Sequence, residues 1–366
     1  MKPVTNASDF LSNSMIHNIG KVFLIVITLA SVGCFRDGAL IIDEPIEVVE
    51  NSLNDIPVLM NANDIVGLSV IVIRENKVKI AKSYGYADLD SKKKINEHTV
   101  YKAASLGKPI FAYIVVALVQ QKKLDLDKPL YLYAGEEVIA NDSFSKEITA
   151  RMVLSHTTGL PNLGKQVAPG FSFKPNSDFQ YSGYGYQYLQ GVIEKLTQKS
   201  LNELAVEIVF EPLSMTVSSY HWRKGYEDVI SSSFGDNTDK YKVNHESHTG
   251  HAAWSLYTTP EDYSKFVTHI MRSSIDSGSI ASQLLTPTVD VARGVKWGLG
   301  WGIQDTTPHE SFWHWGSKAG FKHYVVAYPV EKVAVIVMTN SRNSFKVVDD
   351  IMAKSIGGSY PSYDWF

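Results

Sequence analysis

Cysteine is almost absent from this sequence: there is one thiol, Cys34, in 366 residues. A single thiol closes no internal disulfide and builds no cysteine-based zinc or iron–sulfur site. Basic charge is not in excess, with 35 Lys and Arg against 38 Asp and Glu for a net charge of −3. The chain therefore lacks the positive field that holds a phosphate backbone, which argues against nucleic acid as a partner. No uninterrupted apolar run reaches the roughly 20 residues that span a bilayer. Internal repeats are missing. So is the Gly-x-Ser-x-Gly pentapeptide that would set a serine on the strand-to-helix elbow of a Ser-His-Asp α/β hydrolase.

What is present is a globular composition, 44% hydrophobic and 20% charged, in a chain long enough for one large domain or two interleaved ones. Residues 22–32 form the apolar run VFLIVITLASV, preceded by Lys21 and followed by Gly33 and Cys34. Its length suits the core of a secretory signal, roughly 7–15 residues, so export is expected. Ser31-Val32-Gly33-Cys34 resembles a bacterial lipobox, in which small residues precede a cysteine that is lipidated and becomes the mature N-terminus. Met15 opens a more ordinary signal n-region than Met1 does. The alternative is an uncleaved anchor helix with an incidental cysteine. Both readings place the chain from about residue 35 onward outside the cytoplasm at a membrane surface. The first anchors it by lipid in the bacterial cell envelope, on the periplasmic or cell-surface side.

Beyond the address segment, residues 1–34, Ile46, Val49, Leu53 and Ile56 recur at helical spacing. GLSVIVIRENKVKIAKSYGYA then alternates as a hairpin turning at Glu75-Asn76. Residues 322–328 and 333–339 are again strand-like, and residues 345–356 close with a helical pattern. Strand pairs at both ends with helix-like segments between them predict an α/β protein of the α+β type. Its antiparallel sheet is built from both termini and flanked by helices, and a mostly helical insertion makes a second lobe. Residues 35–110 and 250–366 are expected to form the sheet domain and residues 111–249 the helical domain.

Ser105-Leu106-Gly107-Lys108 is the sharpest chemical signal. If Ser105 opens a helix, Lys108 follows three residues on and projects from the same face. A lysine serves as base for a neighbouring serine only when its amine is neutral near pH 7, which takes burial or a second cation nearby. Ser91-x-x-Lys94 and Ser143-x-x-Lys146 share the spacing but sit in charged or polar loops. Only Ser105 precedes an apolar helix, with Phe111, Ile114, Val115 and Leu118 on one face. On that pattern alone, a helix N-cap is the simpler account of Ser105. His245, His248 and His251 step by three and suggest a metal site. The spacing is not His-Glu-x-x-His, however, and Gly250 with its polar neighbours indicates a solvated or substrate-rim loop, so no metal is expected. Trp254, Trp297, Trp301, Trp313 and Trp315 either line an aromatic cleft or pack a core.

Ser105 and Lys108 are followed in order by Leu124-Asp125-Leu126-Asp127-Lys128-Pro129, LSHTTGLPN at residues 154–162, Tyr181-Ser182-Gly183 and His314-Trp315-Gly316. With these, nearly the whole chain after Cys34 resembles the serine β-lactamase and penicillin-binding-protein family. The likeness is strongest to the branch of class C β-lactamases, D-alanyl-D-alanine carboxypeptidases and related esterases. It implies the β-lactamase/transpeptidase-like fold and a serine acyl hydrolase that needs no cofactor. By the same resemblance Ser105 is the nucleophile of an acyl-enzyme, and Lys108 and Tyr181 share the acid–base work. Backbone N–H groups of Ser105 and Ser317 would hold the oxyanion. His314, Gly316, Ser317 and Gly183 would line the substrate, with Gly316 keeping the strand clear for it.

Two departures limit what the resemblance implies. Gly183 stands where the family has an Asn whose amide bonds the lysine and the substrate. His314 replaces a lysine near the substrate carboxylate and, as an imidazole, is mostly neutral at pH 7. Both favour an ester or a D-amino-acid peptide over a β-lactam as the small-molecule substrate. The alternatives are a β-lactamase, or a sensor that captures penicillin or peptidoglycan without turnover; the missing Asn speaks for the sensor.

Overall fold

The computed structural model describes residues 39–162, 170–242, 246–306 and 309–365. Cys34, the apolar run 22–32 and His245 lie outside the described residues. The described chain opens with helices α1 (Ile46–Ser52) and α2 (Ile56–Ala62), then strands β1 (Gly67–Arg74), β2 (Lys77–Asp88), β3 (Lys93–Lys94) and β4 (Tyr101–Ala104). Helices α3 (Gly107–Gln120), α4 (Tyr131–Ala134), α5 (Ala150–Leu154), α6 (Gly183–Thr197) and α7 (Leu201–Ala205) follow. After β5 (Leu256–Thr258), α8 (Pro260–Ser273) and α9 (Ile280–Leu285) come β6 (Val289–Ala292), β7 (Val295–Trp297), β8 (Gly302–Gln304), β9 (Ser311–Lys318), β10 (Phe321–Tyr328) and β11 (Val333–Thr339). Helices α10 (Val348–Ile356) and α11 (Pro361–Trp365) end it.

The main sheet runs β3-β2-β1-β11-β10-β9-β8-β7-β6 and is antiparallel throughout. Its centre joins the two ends of the sequence: Leu68 on β1 lies opposite Tyr84 on β2 and Thr339 on β11. The hairpin turns at Glu75 and Asn76, both at positive φ, the geometry that matches the twist of tightly connected strands. Strands β1 and β11 are buried at every position, because helices cover both faces of the sheet, so their sequences read as continuous apolar runs. Val70, Val72, Val335 and Val337 pack on one face with Val49 of α1 and Ile351 and Met352 of α10. Ile71, Ile73, Ile336 and Met338 pack on the other with Phe266 and Ile270 of α8 and Phe111 and Ile114 of α3. Each such side chain contributes about 1.5–3 kcal/mol when fully buried. The expected sheet of both termini, covered by the terminal helices, is the one observed.

Strand β4 stands apart from this sheet, pairing with β5, and it leads directly into the nucleophile candidate. It ends at Ala104, whose φ of +50° lies in the left-handed region that a non-glycine residue seldom adopts. This bend turns the chain out of the strand toward α3. Helix α3 starts at Gly107, with Leu106 in the cap position and no side-chain cap bond. Ser105 is therefore neither the opening residue of the helix nor its cap; it sits in the turn ahead of it. The first turns of α3 are buried on all sides, which carries Lys108 into the interior.

Candidate active site

Lys108 is 2% exposed. Its Nζ lies 3.2 Å from Ser105 Oγ and donates to the carbonyl oxygen of Ala253 at 2.8 Å. The rings of Tyr181 and Tyr186 flank the same atom, with centroids at 4.7 and 5.5 Å. Burial is the one cause that moves this amine, and it pulls the pKa down to about 7. An ammonium stripped of water with no carboxylate to replace it prefers to release its proton. Near neutrality a large fraction of Lys108 is thus a free amine with a lone pair in reach of the Ser105 hydroxyl, the condition that a lysine base requires.

The Tyr181 hydroxyl is buried without a formed hydrogen bond. Burial pushes its pKa up, and the nearby Ser105 side chain pulls it part of the way back, so the phenol lies close to Ser105 without the geometry of a completed bond. It stays protonated at neutral pH, which leaves Lys108 as the member of the pair that titrates there. His156 belongs to the LSHTTGLPN stretch, where nothing in the sequence gives it a role, yet its ring lies 4.2 Å from that of Tyr181 and 5.1 Å from that of Tyr186. Nδ1 of His156 accepts the backbone N–H of Ser182 at 3.0 Å, which puts the ring proton on Nε2, an atom with no partner. Burial, then the charges of Lys108 and His314, hold this imidazole well below its ordinary pKa.

His314 was expected against the substrate, but it has no exposed surface. It packs behind the phenol, its ring 6.3 Å from that of Tyr181. Its Nδ1–H donates to the carbonyl of Trp315 at 2.7 Å, and Nε2 keeps an unpartnered lone pair. Burial first and Lys108 second lower its pKa to about 3, so it is neutral at any physiological pH. The expected reason for Gly316 also changes. A Cβ there would lie 2.4 Å from the carbonyl oxygen of Ala103, so glycine is required by the close passage of β9 over β4 rather than by a ligand. Beyond Trp313, β9 pairs with β10 alone, which leaves residues 314–318 with an open edge where Gly316 passes Ala103, two residues before Ser105. Ser317 lies exposed on that edge, and its Oγ accepts from Lys322 Nζ at 2.5 Å.

Gly183 is buried at the start of α6, where its N–H donates to Oδ1 of Asn162 at 3.0 Å. Ser182 Oγ donates to the carbonyl of Pro161 and accepts from the N–H of Gly185. The 156–162 loop therefore clasps the residues just after Tyr181 at three points. Of the histidine series, His248 is solvated beside Glu246, and His251 stacks on Trp254 at 4.5 Å. Trp297, Trp301 and Trp313 are core residues with no exposed surface, whereas Trp254 and Trp315 are partly exposed.

A family model described as β-lactamase matches residues 54–356, most of the chain. The chain belongs to the β-lactamase family. Members of the β-lactamase family are serine hydrolases, and the arrangement of Ser105 and Lys108 fits that chemistry. The staphylococcal protein flp, from Staphylococcus aureus, is 22% identical over 306 residues, 76% of this chain and 60% of flp. A teichoic acid D-alanine hydrolase of the same species is 24% identical over 238 residues, 61% of this chain and 59% of that protein. The chain thus spans about 60% of the length of these curated relatives. The octameric penicillin-binding protein homologue from Pyrococcus abyssi shares the fold, with a TM-score of 0.74 at 21% identity over 83% of this chain and 76% of that one.

Proposed function

We propose that this protein is a serine acyl hydrolase of the esterase or D-amino-acid peptidase type, acting through an acyl-enzyme on Ser105. The observation that carries the reading is the buried Lys108 amine, brought to about pKa 7 at 3.2 Å from Ser105 Oγ. As Oγ attacks the acyl carbonyl, Lys108 takes the hydroxyl proton. The carbonyl oxygen becomes an oxyanion held by the N–H groups of Ser105 and Ser317. Tyr181, still protonated, donates to the leaving alkoxide or amine as the tetrahedral adduct collapses, and Lys108 returns a proton to the phenolate. Water then releases the acyl group by the same steps in reverse. His156 and His314 touch no substrate in this scheme; they position Tyr181. Substrate lies between a sheet domain, residues 35–110 and 250–366, and a helical domain, residues 111–249.

Substrate class is argued from the departures and from one relative. Gly183 supplies no amide side chain, and neutral His314 supplies no cation, which disfavours efficient β-lactam turnover. The similarity to a protein named teichoic acid D-alanine hydrolase supports an ester or a D-amino-acid acyl bond. A second reading, a sensor that acylates without turnover or a plain binding module, is favoured by the missing Asn at 183 alone. Incubation with a chromogenic ester and with a fluorescent penicillin, with intact-protein mass spectrometry, separates the cases. Turnover abolished by Ser105→Ala supports the hydrolase, and a stable adduct on Ser105 supports the sensor. The absence of both signals sinks the hydrolase and the acylated sensor and supports the plain binding module. We also place the protein in the bacterial cell envelope through a lipid on Cys34. Labelled fatty acid should appear in the membrane fraction with the parent and be lost with Cys34→Ala.

A further inference from the structure

We infer that Lys318, seated on the face of Trp254, forms a recognition subsite for an anionic group, a carboxylate or a phosphate ester, carried by the acyl substrate. The inference rests on the hydrolase reading above and adds to it the charge of the substrate.

Along β9 the side-chain period is two, so positions 314, 316 and 318 share a face. His314 on that face packs behind Tyr181, and Gly316 leaves the face bare where it crosses Ala103. Lys318 is the next side chain on it. Its Nζ lies 3.1 Å from the ring centroid of Trp254. Trp254 directly follows Ala253, whose carbonyl takes the catalytic-site lysine at 2.8 Å. One residue of backbone therefore joins the Lys318 contact to the amine beside Ser105. Lys102, on β4 and three residues before Ser105, acts on Lys318 from the other strand; the passage of Gly316 over Ala103 sets the two strands side by side.

Lys318 is partly buried, and no carboxylate among the described residues pairs with it. Burial and then the charge of Lys102 lower its pKa to about 8, and burial alone does the same to Lys102. A partly buried ammonium with no carboxylate beside it is unfavourable by itself and is relieved once an anion docks on it. The face of Trp254 holds Lys318 in place without cancelling its charge. Among the described residues, the neutral His314 cannot anchor an anion, whereas Lys318, on a tryptophan one backbone step from the carbonyl that holds Lys108, can.

The test uses the purified chain and two matched ester pairs. One pair, p-nitrophenyl butyrate and p-nitrophenyl hemisuccinate, places a carboxylate on the acyl side. The other, acetylglycerol and acetylglycerol phosphate, places a phosphate on the alcohol side. The parent is expected to prefer the charged member of at least one pair, and which pair identifies the anion. Lys318→Ala should lower kcat/KM for that member at least about tenfold more than for its neutral partner, chiefly through KM, and Lys318→Arg should recover most of the difference. Equal losses on both members, or no difference between them, overturn the subsite. If none of the four esters is hydrolysed, the hydrolase reading fails separately, and binding decides. Inorganic phosphate and succinate are then titrated into Ser105→Ala and followed by tryptophan fluorescence. Saturable binding weakened by adding Lys318→Ala upholds the subsite; no binding, or binding indifferent to Lys318, overturns it.

Discussion

Nδ1 of His156 accepts the backbone N–H of Ser182 across 3.0 Å, so an imidazole from one loop holds the residue that follows Tyr181. The same ring lies 4.2 Å from the phenol. Because the Tyr181 hydroxyl makes no formed hydrogen bond, its position is set by these neighbours. His156→Phe keeps a ring against the phenol but leaves a buried N–H unsatisfied, which should cost about 1–3 kcal/mol of stability. It should also lower kcat on the order of a hundredfold by misplacing the phenol, with KM little changed. Denaturant titration and steady-state kinetics on one ester read both effects; unchanged kcat would remove His156 from the site.

The acid limb of the pH–rate profile should belong to Lys108. With the amine at about pKa 7, kcat/KM for a neutral ester falls with unit slope below about pH 7 as the lone pair is protonated. Burial keeps Tyr181 protonated well past neutrality, so no alkaline limb should appear below about pH 9, where phenols ordinarily begin to ionise. A neutral ester is needed because Lys102 and Lys318 titrate near 8 and would colour the profile of a charged one. A flat profile down to pH 4 would rule out the amine as base.

The same amine should burden the folded state. A lysine in water titrates at 10.5, and folding brings this one down to about 7, so between these values the unfolded chain binds the extra proton. Stability then rises with pH across that window, and the penalty is fully present below about pH 7. Lys108→Met should be inactive, yet more stable than the parent at pH 7 by about 2–4 kcal/mol, at 1.36 kcal/mol per pKa unit less the lost bond to Ala253. The gap should shrink toward pH 10. Urea titrations of both proteins at pH 7 and 9.5 give the comparison, and a gap that does not narrow would contradict it.

Gly316→Ala introduces a Cβ 2.4 Å from the Ala103 carbonyl oxygen, a contact that cannot be tolerated without moving β9 off β4. Since β4 leads directly into Ser105, acyl-enzyme formation should be lost, while stability falls by about 1–3 kcal/mol, as for other overpacked sites. Mass spectrometry after incubation with an activated ester, alongside a melting curve, separates a misaligned site from an unfolded chain.

How much of this was legible in the sequence follows the range of each interaction. The β1–β2 hairpin, β10, β11 and α10 were readable because each is a local apolar pattern several residues long. Strands β6, β7 and β8 were not: they are three or four residues each, and the glycines around them mask any period. The pairing of Ser105 with Lys108 was readable from spacing, but the Ala253 carbonyl that shares the amine lies 145 residues away and leaves no local trace. His156 sat in a stretch that resembled a family loop, yet its burial beside Tyr181 depends on a contact between separate segments. His314 and Gly316 were located correctly along β9, while their surroundings depended on packing that the strand's own sequence does not encode.

Strand β11 slots between β1 and β10, so the middle of the sheet is finished by residues near the end of the chain. A product truncated before residue 333 would keep Ser105 and Lys108 but leave the β1 edge unpaired, offering Val70 to Ile73 to any passing strand. Such fragments are fated to aggregate rather than to persist as weakened enzyme. The open stretch of β9 therefore relies on a neighbour's neighbour: β10 is held to the β1 side of the sheet through β11, and a cut that frees β11 unmoors it.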